Sequence, residues 1–346
     1  MTIATAYAIP SATGSFTRAA IERREPGPRD VSIAIAFAGI CHSDIHTARD
    51  EWEGTHYPLV PGHEIAGVVD AVGSEVTRFA VGDRVGVGCL VNSCGACRSC
   101  LAGLEQYCPH GVYTYNSLDV DGSWTAGGYS SHVVVDEGFV LRIPDALPLD
   151  AAAPLLCAGI TTYSPLRQWR AGPGTRLGVI GLGGLGHMAV QIGHALGAEV
   201  TVFSRTLSKE ADALALGADR VVATGERGAF AANAESLDLI VNTVSDGISL
   251  DAYLSLLDVN GAMVNVGLPN APLPLRLSSL IMRRRSLAGS NIGGIRETQE
   301  MLDFCAEHGI ASRIEVIGGE EIDAAYDRVV AGDVRYRFVI DTASFG

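Results

Sequence analysis

Three things are scarce in this sequence, and each scarcity narrows its function. Basic residues are few: 25 Lys and Arg stand against 39 Asp and Glu, a formal net charge of −14, so the chain as a whole repels phosphate backbones and anionic membrane surfaces. No uninterrupted apolar run reaches the roughly 18 to 20 residues of a membrane span. The first residues, MTIATAYAIPSATGSF, lack the basic and apolar regions of an export signal. We therefore expect a cytoplasmic protein that binds neither nucleic acid nor a membrane.

What is abundant indicates a well-packed α/β protein. Hydrophobic residues make up 47% of the 346 residues, charged residues make up 18%, and there are 41 glycines. This composition argues against disorder and favours a fold with many tight turns. A chain of this length has room for two domains, each with its own core.

Two patterns follow each other along the chain. From about residue 30 to 140, short apolar runs such as VSIAIAFAGI and EIAGVVDAVG are separated by Gly, Asp and Pro, as in all-β regions. From about residue 149, strand and helix patterns alternate, which predicts a parallel sheet covered by helices on both faces. After about residue 296, one helix (ETQEMLDFCAEHG) and one strand (RYRFVIDT) complete no third domain, so we assign them to the first. The predicted domains are 1–150 with 297–346, and 151–296.

Four of the eight cysteines lie within fifteen positions. They are Cys94, Cys97, Cys100 and Cys108, with the spacing C-x2-C-x2-C-x7-C. A loop this short, at 89–110, can place four thiolates around one ion, and a tetrahedral site closed by four sulfurs is typical of structural zinc. The alternatives are two local disulfides, four incidental thiols or an iron–sulfur cluster. A closed site stabilises a lobe and performs no reaction by itself.

A reactive metal needs an open coordination position, so its ligands must be sought outside this cluster. The remaining cysteines are Cys41, Cys89, Cys157 and Cys305. Cys41 follows an apolar strand in GICHSDIH, Cys157 lies in APLLCAGITTYS, and His63 lies in YPLVPGHE. Each alone is a weak signal, because a buried cysteine is more often a small hydrophobe than a ligand.

An apolar strand at 176–180 runs into a glycine-rich loop and then a helix. The loop is Gly181, Leu182, Gly183, Gly184, Leu185 and Gly186. In this context the pattern G-x-G-x-x-G favours dinucleotide binding. The first two glycines permit a tight turn and close approach of a pyrophosphate, and the last lets helix and strand pack.

The end of the next strand, EVTVF, selects the cofactor. An NAD-specific site usually places Asp or Glu there, but this chain has Ser204 and Arg205, with Lys209 shortly after. A hydroxyl, a guanidinium and an ammonium can instead bind a 2′-phosphate, so we predict NADP(H). The alternative is that Arg205 and Lys209 are solvated charges at the start of a helix.

In combination these motifs resemble a known family. GHE, C-H-S-D and LLCAGITT around the cysteine loop, together with EWEGTHYPLVPGHEIAGVV and DVRYRFVID, are similar to the zinc-dependent medium-chain alcohol dehydrogenases. They look closest to the cinnamyl alcohol dehydrogenase-like group and its bacterial NADP-dependent aldehyde reductases. The resemblance covers essentially the whole chain and implies a GroES-like β-rich catalytic domain plus a Rossmann domain with a doubly wound parallel sheet. It also disfavours the iron–sulfur alternative.

For the reaction, the resemblance implies a catalytic zinc held by Cys41, His63 and Cys157, with a fourth position open to water or substrate. Glu64 matches the acidic residue behind the metal, which can exchange as a transient ligand. Asp44 matches the carboxylate that orients the histidine ligand. Asp44 could instead be the N-cap of a helix, and both roles can hold.

The resemblance also assigns a proton path and cofactor contacts. Ser43 matches the hydroxyl that contacts the substrate oxygen, and His46 matches the histidine that relays its proton. The alternative for His46 is a partly exposed histidine at the start of a helix. The implied cofactor contacts are His42, Thr161, Thr243, Val244, Gly267, Asn291 and Arg337, of which His42 and Arg337 are expected to meet phosphates.

We therefore predict an NADP-dependent alcohol dehydrogenase or aldehyde reductase, which transfers hydride reversibly between NADP(H) and primary alcohols or aldehydes. Aromatic or medium-chain aldehydes are the expected substrates, since Trp52, Tyr57, Leu90 and Tyr113 can line an apolar pocket, although they could simply pack in the core. The alternatives are an NAD-dependent polyol or secondary-alcohol dehydrogenase and a non-catalytic zinc-stabilised scaffold. Relatives of this type imply a homodimer, or else a tetramer.

Overall fold

The chain divides into two compact units, Met1–Cys157 with Gly293–Gly346, and Ala158–Ile292. The structure, a computed structural model, describes residues 2–269 and 271–346. Strands and helices are numbered along the chain.

The first unit is built mainly from antiparallel strands. Its largest sheet has the order β16-β17-β3-β4-β5-β9, with β8 also paired to β3. In β3, Val31, Ile33 and Ile35 are buried while the residues between them are partly exposed, the alternation of a half-buried strand. The strands are β1 (Thr2–Ala8), β2 (Thr17–Arg23), β3 (Asp30–Gly39), β4 (Ile65–Val72), β5 (Arg84–Val87), β6 (Leu90–Asn92), β7 (Val112–Tyr113), β8 (His132–Asp136), β9 (Leu141–Arg142), β16 (Ile314–Ile317) and β17 (Arg337–Asp341).

Five α-helices and several 3-10 turns connect these strands. The helices are α1 (His42–Ala48), α2 (Arg98–Leu101), α3 (Leu149–Ala152), α10 (Ile295–His308) and α11 (Ile322–Ala331). The 3-10 turns are Glu105–Tyr107, Glu137–Phe139, Ala153–Leu156, Gly319–Glu321 and Thr342–Phe345. The expected C-terminal helix and strand are α10 and β17, but β16 and α11 between them were not predicted.

A hydrophobic core fixes α1 and α11 against the sheet. Its fully buried members include Ile45 of α1, Tyr129, Phe338 of β17 and, from α11, Ile322 with Tyr326. Burying an apolar side chain of this size stabilises a fold by about 1.5–3 kcal/mol. The helix that carries His42, Ser43 and His46 is therefore held in place by the core and not by its own seven residues, which are too few for an isolated helix.

The second unit is a parallel six-stranded sheet with the order β12-β11-β10-β13-β14-β15. The order reverses beside β10, and the crevice at the carboxyl ends of β10 and β13 is where such sheets bind ligands. The strands are β10 (Arg176–Ile180), β11 (Glu199–Ser204), β12 (Arg220–Ala223), β13 (Leu237–Asn242), β14 (Leu257–Asn265) and β15 (Ser286–Gly289). The helices are α4 (Ala158–Gln168), α5 (Gly186–Ala195), α6 (Glu210–Ala215), α7 (Ala229–Ala232), α8 (Leu250–Leu254) and α9 (Ser278–Ile281).

The predicted fold class, a β-rich domain plus a doubly wound parallel sheet, is confirmed. Across the described residues, no helix combines the length and the apolar character needed to traverse a bilayer.

Candidate functional site

Two groups of metal-binding side chains lie in the first unit, and in each the ligand atoms are all within 4.8 Å of one another. One group is Cys94, Cys97, Cys100 and Cys108; the other is Cys41, His63, Glu64 and Cys157. All eight cysteines have free thiols. The structure therefore contains none of the local disulfides that the sequence left open.

The cysteine cluster is stabilised by its own backbone. The Cys97 N–H donates to the Cys94 sulfur at 3.3 Å, and the Cys100 N–H donates to the Cys97 sulfur at 3.5 Å. Backbone N–H groups of Ala96 and Cys97 lower the pKa of Cys94 to about 6. A Cys94 thiolate stabilised in this way suits a cation, and four sulfur ligands leave no position for water, so the cluster fits a structural zinc ion.

The second group is assembled from three separate segments. Cys41 lies just after β3, His63 just before β4, and Cys157 after the 3-10 turn Ala153–Leu156. Because β3 and β4 are paired, with the Gly39 N–H donating to the Glu64 carbonyl at 2.9 Å, Cys41 and His63 reach the same end of the sheet. The Cys41 and Cys157 sulfurs are 3.8 Å apart, and His63 Nε2 is 3.3 Å from the Cys157 sulfur.

The donor set of this second group fits a catalytic zinc ion. A side-chain hydrogen bond from Cys157 holds the pKa of Cys41 well below its usual range, which favours the thiolate that binds metal. Two sulfurs and one imidazole supply three of four tetrahedral positions and leave one open. That these residues are ligands remains a prediction, but the structure brings all three together.

Glu64, the fourth member of this group, has a buried environment that favours a nearby cation. It is fully buried, and within the described chain neither carboxylate oxygen has a hydrogen-bond partner. Arg337 Nη1 is 3.1 Å from Glu64 Oε1, an ion contact without hydrogen-bond alignment, and it donates to the Ile40 carbonyl at 3.0 Å. Burial raises the pKa of Glu64 to about 8. In this structure Arg337 therefore pairs with Glu64; the predicted contact with a pyrophosphate remains a prediction.

Asp44 contacts His63, but it is not the helix N-cap that the sequence offered as the alternative. The N-cap of α1 is Cys41 and not Asp44, which lies three residues later and accepts the Cys41 N–H at 2.8 Å. The same carboxylate is 3.1 Å from His63 Nδ1. Since an ionised carboxylate only accepts hydrogen bonds, Nδ1 carries the hydrogen and Nε2 is left for the metal.

Ser43 and His46 lie on α1 beside the metal-binding group. The Ser43 hydroxyl is 3.7 Å from the Cys41 sulfur. His46 Nδ1 is 2.5 Å from Glu51 Oε2, and its ring stacks on Trp52 with centroids 4.9 Å apart. Sequence reasoning did not name Glu51, although a carboxylate five residues after a proposed relay histidine is a usable signal.

In the second unit the glycine-rich loop has the geometry that a pyrophosphate needs. Gly181 has a φ of +87°, a conformation that disfavours other residues. A Cβ atom on Gly186 would lie 2.2 Å from the Gly181 carbonyl oxygen, whereas one on Gly183 would meet no atom within 4 Å. The space over Gly183 is therefore open for a ligand, while Gly186 allows α5 to begin against the loop.

The residues proposed to select the cofactor cluster at the end of β11. Ser204 ends the strand and is half-buried, and Arg205 is exposed. The Lys209 ammonium donates to the Leu182 carbonyl of the glycine-rich loop at 3.1 Å. The structure thus places a lysine against the loop that is expected to hold the phosphates.

The other predicted cofactor residues of this unit fall into two groups. The Thr243 hydroxyl donates to the Ile180 carbonyl at 2.7 Å, and a Cβ on Gly267 would lie 2.8 Å from Val244, so these residues adjoin the loop and each other. Thr161 is buried in α4, and Asn291 is exposed after β15.

Each of the predicted pocket residues has a contact of its own. Trp52 stacks on His46. Leu90 and Tyr113 are paired across β6 and β7, and the Tyr57 hydroxyl donates to the Ala48 carbonyl at 2.8 Å. His42 is exposed on α1, with its ring centroid 5.3 Å from that of His46.

Three contacts at the metal-binding group were missed from the sequence. The Tyr115 ring stacks on His63 with centroids 5.7 Å apart, and the Tyr129 hydroxyl is 3.3 Å from Asp44 Oδ2. The Cys89 thiol hydrogen-bonds Cys157, which lowers the pKa of Cys89. No motif marks the tyrosines, because the contacts join residues 52 and 85 positions apart in the chain; Cys89 could have been noticed as a further thiol outside the cluster.

Two family profiles match the chain. Residues 27–145 match the alcohol dehydrogenase GroES-like domain, and residues 184–307 match the zinc-binding dehydrogenase family.

Relatives and solved structures of similar sequence span almost the whole chain. NADP-dependent alcohol dehydrogenase C of Mycobacterium tuberculosis is 59% identical over 99% of this chain and 100% of its own length. Aldehyde reductase YahK of Escherichia coli is 55% identical over 93% of each chain. The structure of a cinnamyl alcohol dehydrogenase from Sorghum bicolor superposes with a TM-score of 0.96 at 46% identity, over 99% of this chain and 98% of that chain. That of a Helicobacter pylori enzyme complexed with NADP(H) gives 0.93 at 45% identity, with the same coverage.

Proposed function

We propose the details of the reaction from the premise that this chain belongs to the zinc-dependent medium-chain alcohol dehydrogenases, in their cinnamyl alcohol dehydrogenase-like group. Within this group the chain is an oxidoreductase that links NADP(H) to alcohols and aldehydes. The convergence of Cys41, His63 and Cys157 into one buried donor set is the observation that carries the proposal.

In the proposed mechanism these three residues bind the catalytic zinc, and the cysteine cluster binds a second, structural zinc. When bound, zinc polarises a carbonyl oxygen as a Lewis acid, and NADPH supplies the hydride. The side chains of the protein orient the substrate and transfer a proton. The Ser43 hydroxyl donates to the developing oxygen anion during aldehyde reduction and is reprotonated through His46.

Glu51 extends this proton path toward solvent. The His46 side chain is 16% exposed and the Glu51 side chain 36%, so the pair bridges a buried group and bulk water. A carboxylate on Nδ1 fixes the ring orientation of His46. In alcohol oxidation the same groups carry the proton outward.

Aromatic or medium-chain aldehydes are the proposed substrates. The support is the position of Trp52, a large apolar side chain stacked on the proposed relay histidine. A panel from acetaldehyde to cinnamaldehyde with NADPH should give the highest kcat/KM for the larger aldehydes. Trp52→Ala should lower kcat/KM for cinnamaldehyde more than for acetaldehyde; an equal loss for both would refute a substrate-binding role.

The metal assignment is tested by zinc content together with turnover. Wild type should hold two zinc ions per chain by elemental analysis. Cys157→Ala should hold one and lose activity, whereas Cys305→Ala, at a buried thiol next to Met301, should keep both ions and the activity. One zinc ion in an active wild type would contradict the proposal, and one in an inactive wild type would favour the scaffold alternative.

We also propose a homodimer in a reducing, cytoplasmic environment. The support is an exposed apolar group on and after α9, namely Leu277, Ile281 and Met282, near the edge strand β15, and the eight free thiols. Light scattering coupled to size exclusion should give twice the 36.2 kDa chain mass. A monomer would contradict the dimer.

A further inference from the structure

The Asp44 carboxylate is the buried hub of the predicted catalytic metal site. Asp44 is 0% exposed, and its two oxygens accept four hydrogen bonds. Oδ1 accepts from the Gly62 N–H at 3.2 Å and from His63 Nδ1 at 3.1 Å. Oδ2 accepts from the Cys41 N–H at 2.8 Å and from the Tyr129 hydroxyl at 3.3 Å. Three of these donors belong to the segments that carry predicted ligands, and only Tyr129 comes from elsewhere.

A second tyrosine continues this contact away from the metal site. The Tyr326 hydroxyl is 3.3 Å from the Tyr129 hydroxyl. Because the carboxylate can only accept, Tyr129 donates to Asp44 and its oxygen accepts from Tyr326. Burial and the nearby Asp44 charge raise the pKa of both tyrosines well above the usual range, so both hydroxyls stay neutral donors. Tyr326 therefore donates to Tyr129, and Tyr129 donates to Asp44 Oδ2, while His63 Nδ1 donates to the other oxygen of the same carboxylate.

Both tyrosine rings are fixed by packing that does not involve their hydroxyls. The Tyr129 N–H donates to the Pro61 carbonyl at 3.0 Å, and its ring lies against Gly62, where a Cβ would come within 2.6 Å. Tyr326 lies on α11 and meets the Phe16 ring edge-on at 5.2 Å. A Tyr→Phe change at either position should therefore keep the packing and remove only the hydrogen bond.

We propose that Tyr129 and Tyr326 are positioning residues for the catalytic metal, acting through Asp44 to hold His63 in the orientation that presents Nε2 to the ion. This inference rests on the proposed ligand role of His63. Neither tyrosine lies near it in the chain: 66 and 263 positions separate them from His63. Residues beyond the ligands that orient a metal-bound histidine typically contribute about 10–100-fold to metal affinity.

The test is the rate at which zinc leaves the fully loaded protein in the presence of a chromophoric chelator. The zinc of the cysteine cluster, in the same molecule, is an internal reference. Tyr129→Phe should release one of two ions faster, by up to about 10-fold because it acts through Asp44 and does not contact His63 itself, and should leave the other release phase unchanged. Tyr326→Phe should shift the same phase in the same direction by less, since it acts through Tyr129.

The double variant distinguishes a connected series of hydrogen bonds from two independent structural effects of the single substitutions. Once the Tyr129 hydroxyl is gone, Tyr326 has no route to Asp44, so the double variant should release zinc at the rate of Tyr129→Phe alone. The visible spectrum of the cobalt-substituted protein should change in the two single variants. Tyr7→Phe is the matched control, because Tyr7 is buried in the same core and its hydroxyl has no hydrogen-bond partner among the residues that the structure describes; it should resemble wild type in both measurements.

Each other outcome has a distinct meaning. Two zinc ions with unchanged release in both single variants would overturn this inference and leave the proposed metal centre intact. Equal acceleration of both release phases, or additive effects in the double variant, would also overturn it, since either indicates general destabilisation. If Tyr129→Phe does not fold, Tyr326→Phe carries the test by release rate and cobalt spectrum. A wild type with only one zinc ion would instead overturn the proposed centre, and this inference with it.

Discussion

The two metal-binding groups of the first unit are built in opposite ways. The cysteine cluster takes all its ligands from one stretch of fifteen residues, and its cysteines are exposed or half-buried. The second group takes its proposed ligands from positions 41, 63 and 157, all of them buried. A local loop can close around an ion with little help from the rest of the fold, whereas the second group exists only after β3, β4 and the turn at Ala153–Leu156 have come together.

The two groups also differ in what contacts their predicted ligands. In the cluster, backbone N–H groups point at the sulfurs. In the buried group, side chains contact the predicted ligands and Glu64. Asp44 accepts a hydrogen bond from His63, and Arg337 pairs with Glu64. Four sulfur ligands from one loop are suited to stabilising the fold. Three buried ligands that leave one coordination position free, with titratable side chains around them, are suited to catalysis.

The largest expected effect is loss of turnover in Cys41→Ser. Without this proposed ligand, kcat/KM should fall by at least about 1000-fold, which corresponds to about 4 kcal/mol of transition-state stabilisation. Circular dichroism and Tm should remain close to wild type, because the core around α1 is unchanged. Kinetics with NADPH and benzaldehyde measure the loss of turnover, and a thermal melt measures whether stability is kept.

The complementary change is Cys100→Ser in the cluster. Loss of a structural metal is among the few substitutions that cost about 4 kcal/mol of unfolding free energy. Denaturant titration of the zinc-loaded proteins measures this loss, and the protein that remains folded should keep turning over. If Cys100→Ser and Cys41→Ser had equal effects on turnover and on unfolding, the division between the two sites would be wrong.

A smaller effect is expected in the second unit, where Arg205→Ala tests cofactor choice. A hydrogen bond to a charged group contributes about 1.5–3 kcal/mol, so the ratio of kcat/KM for NADPH over NADH should fall about 10-fold to 100-fold. Arg227→Ala, at an exposed arginine after β12, is the control and should leave the ratio unchanged. A wild type that prefers NADH would remove the basis for this assignment.

The smallest effect is expected at the proton path. Glu51→Gln removes the charge beside His46 but keeps the side-chain shape, so kcat should fall by a few-fold up to about 10-fold, below the full contribution of an acid–base group. KM for NADPH should not change. Glu53→Gln, at an exposed neighbour in the same turn, should behave as wild type, and an equal decrease there would indicate a general effect of charge.

The sequence was most informative where structure is local. Fifteen residues were enough to indicate the cysteine cluster, because chain connectivity alone keeps its ligands close. The glycine-rich loop and Ser204 were readable for the same reason, since each depends on its own strand and turn. The zinc and NADP(H) expectations and the fold class are supported by the family profiles and relatives.

Local spacing was less reliable for roles that depend on geometry. Asp44 was considered as an N-cap, but the N-cap of α1 is Cys41, three residues earlier. In the first unit, the segment Gly293–Gly346 contains β16 and α11, which were not predicted, although α11 supplies Tyr326. These elements lack a distinctive motif, and their place follows from packing against a core contributed by residues far away in the chain.

By itself, then, the sequence indicated the fold class, the cofactor chemistry and the cysteine cluster through motifs and short spacings, and it indicated the other candidate ligands through its resemblance to a family. Only the tertiary structure decided which distant side chains meet: that Arg337 contacts Glu64, and that Tyr326 contacts Tyr129, which contacts Asp44. The physical reason is that such contacts depend on strand register and core packing, which bring together residues up to 273 positions apart.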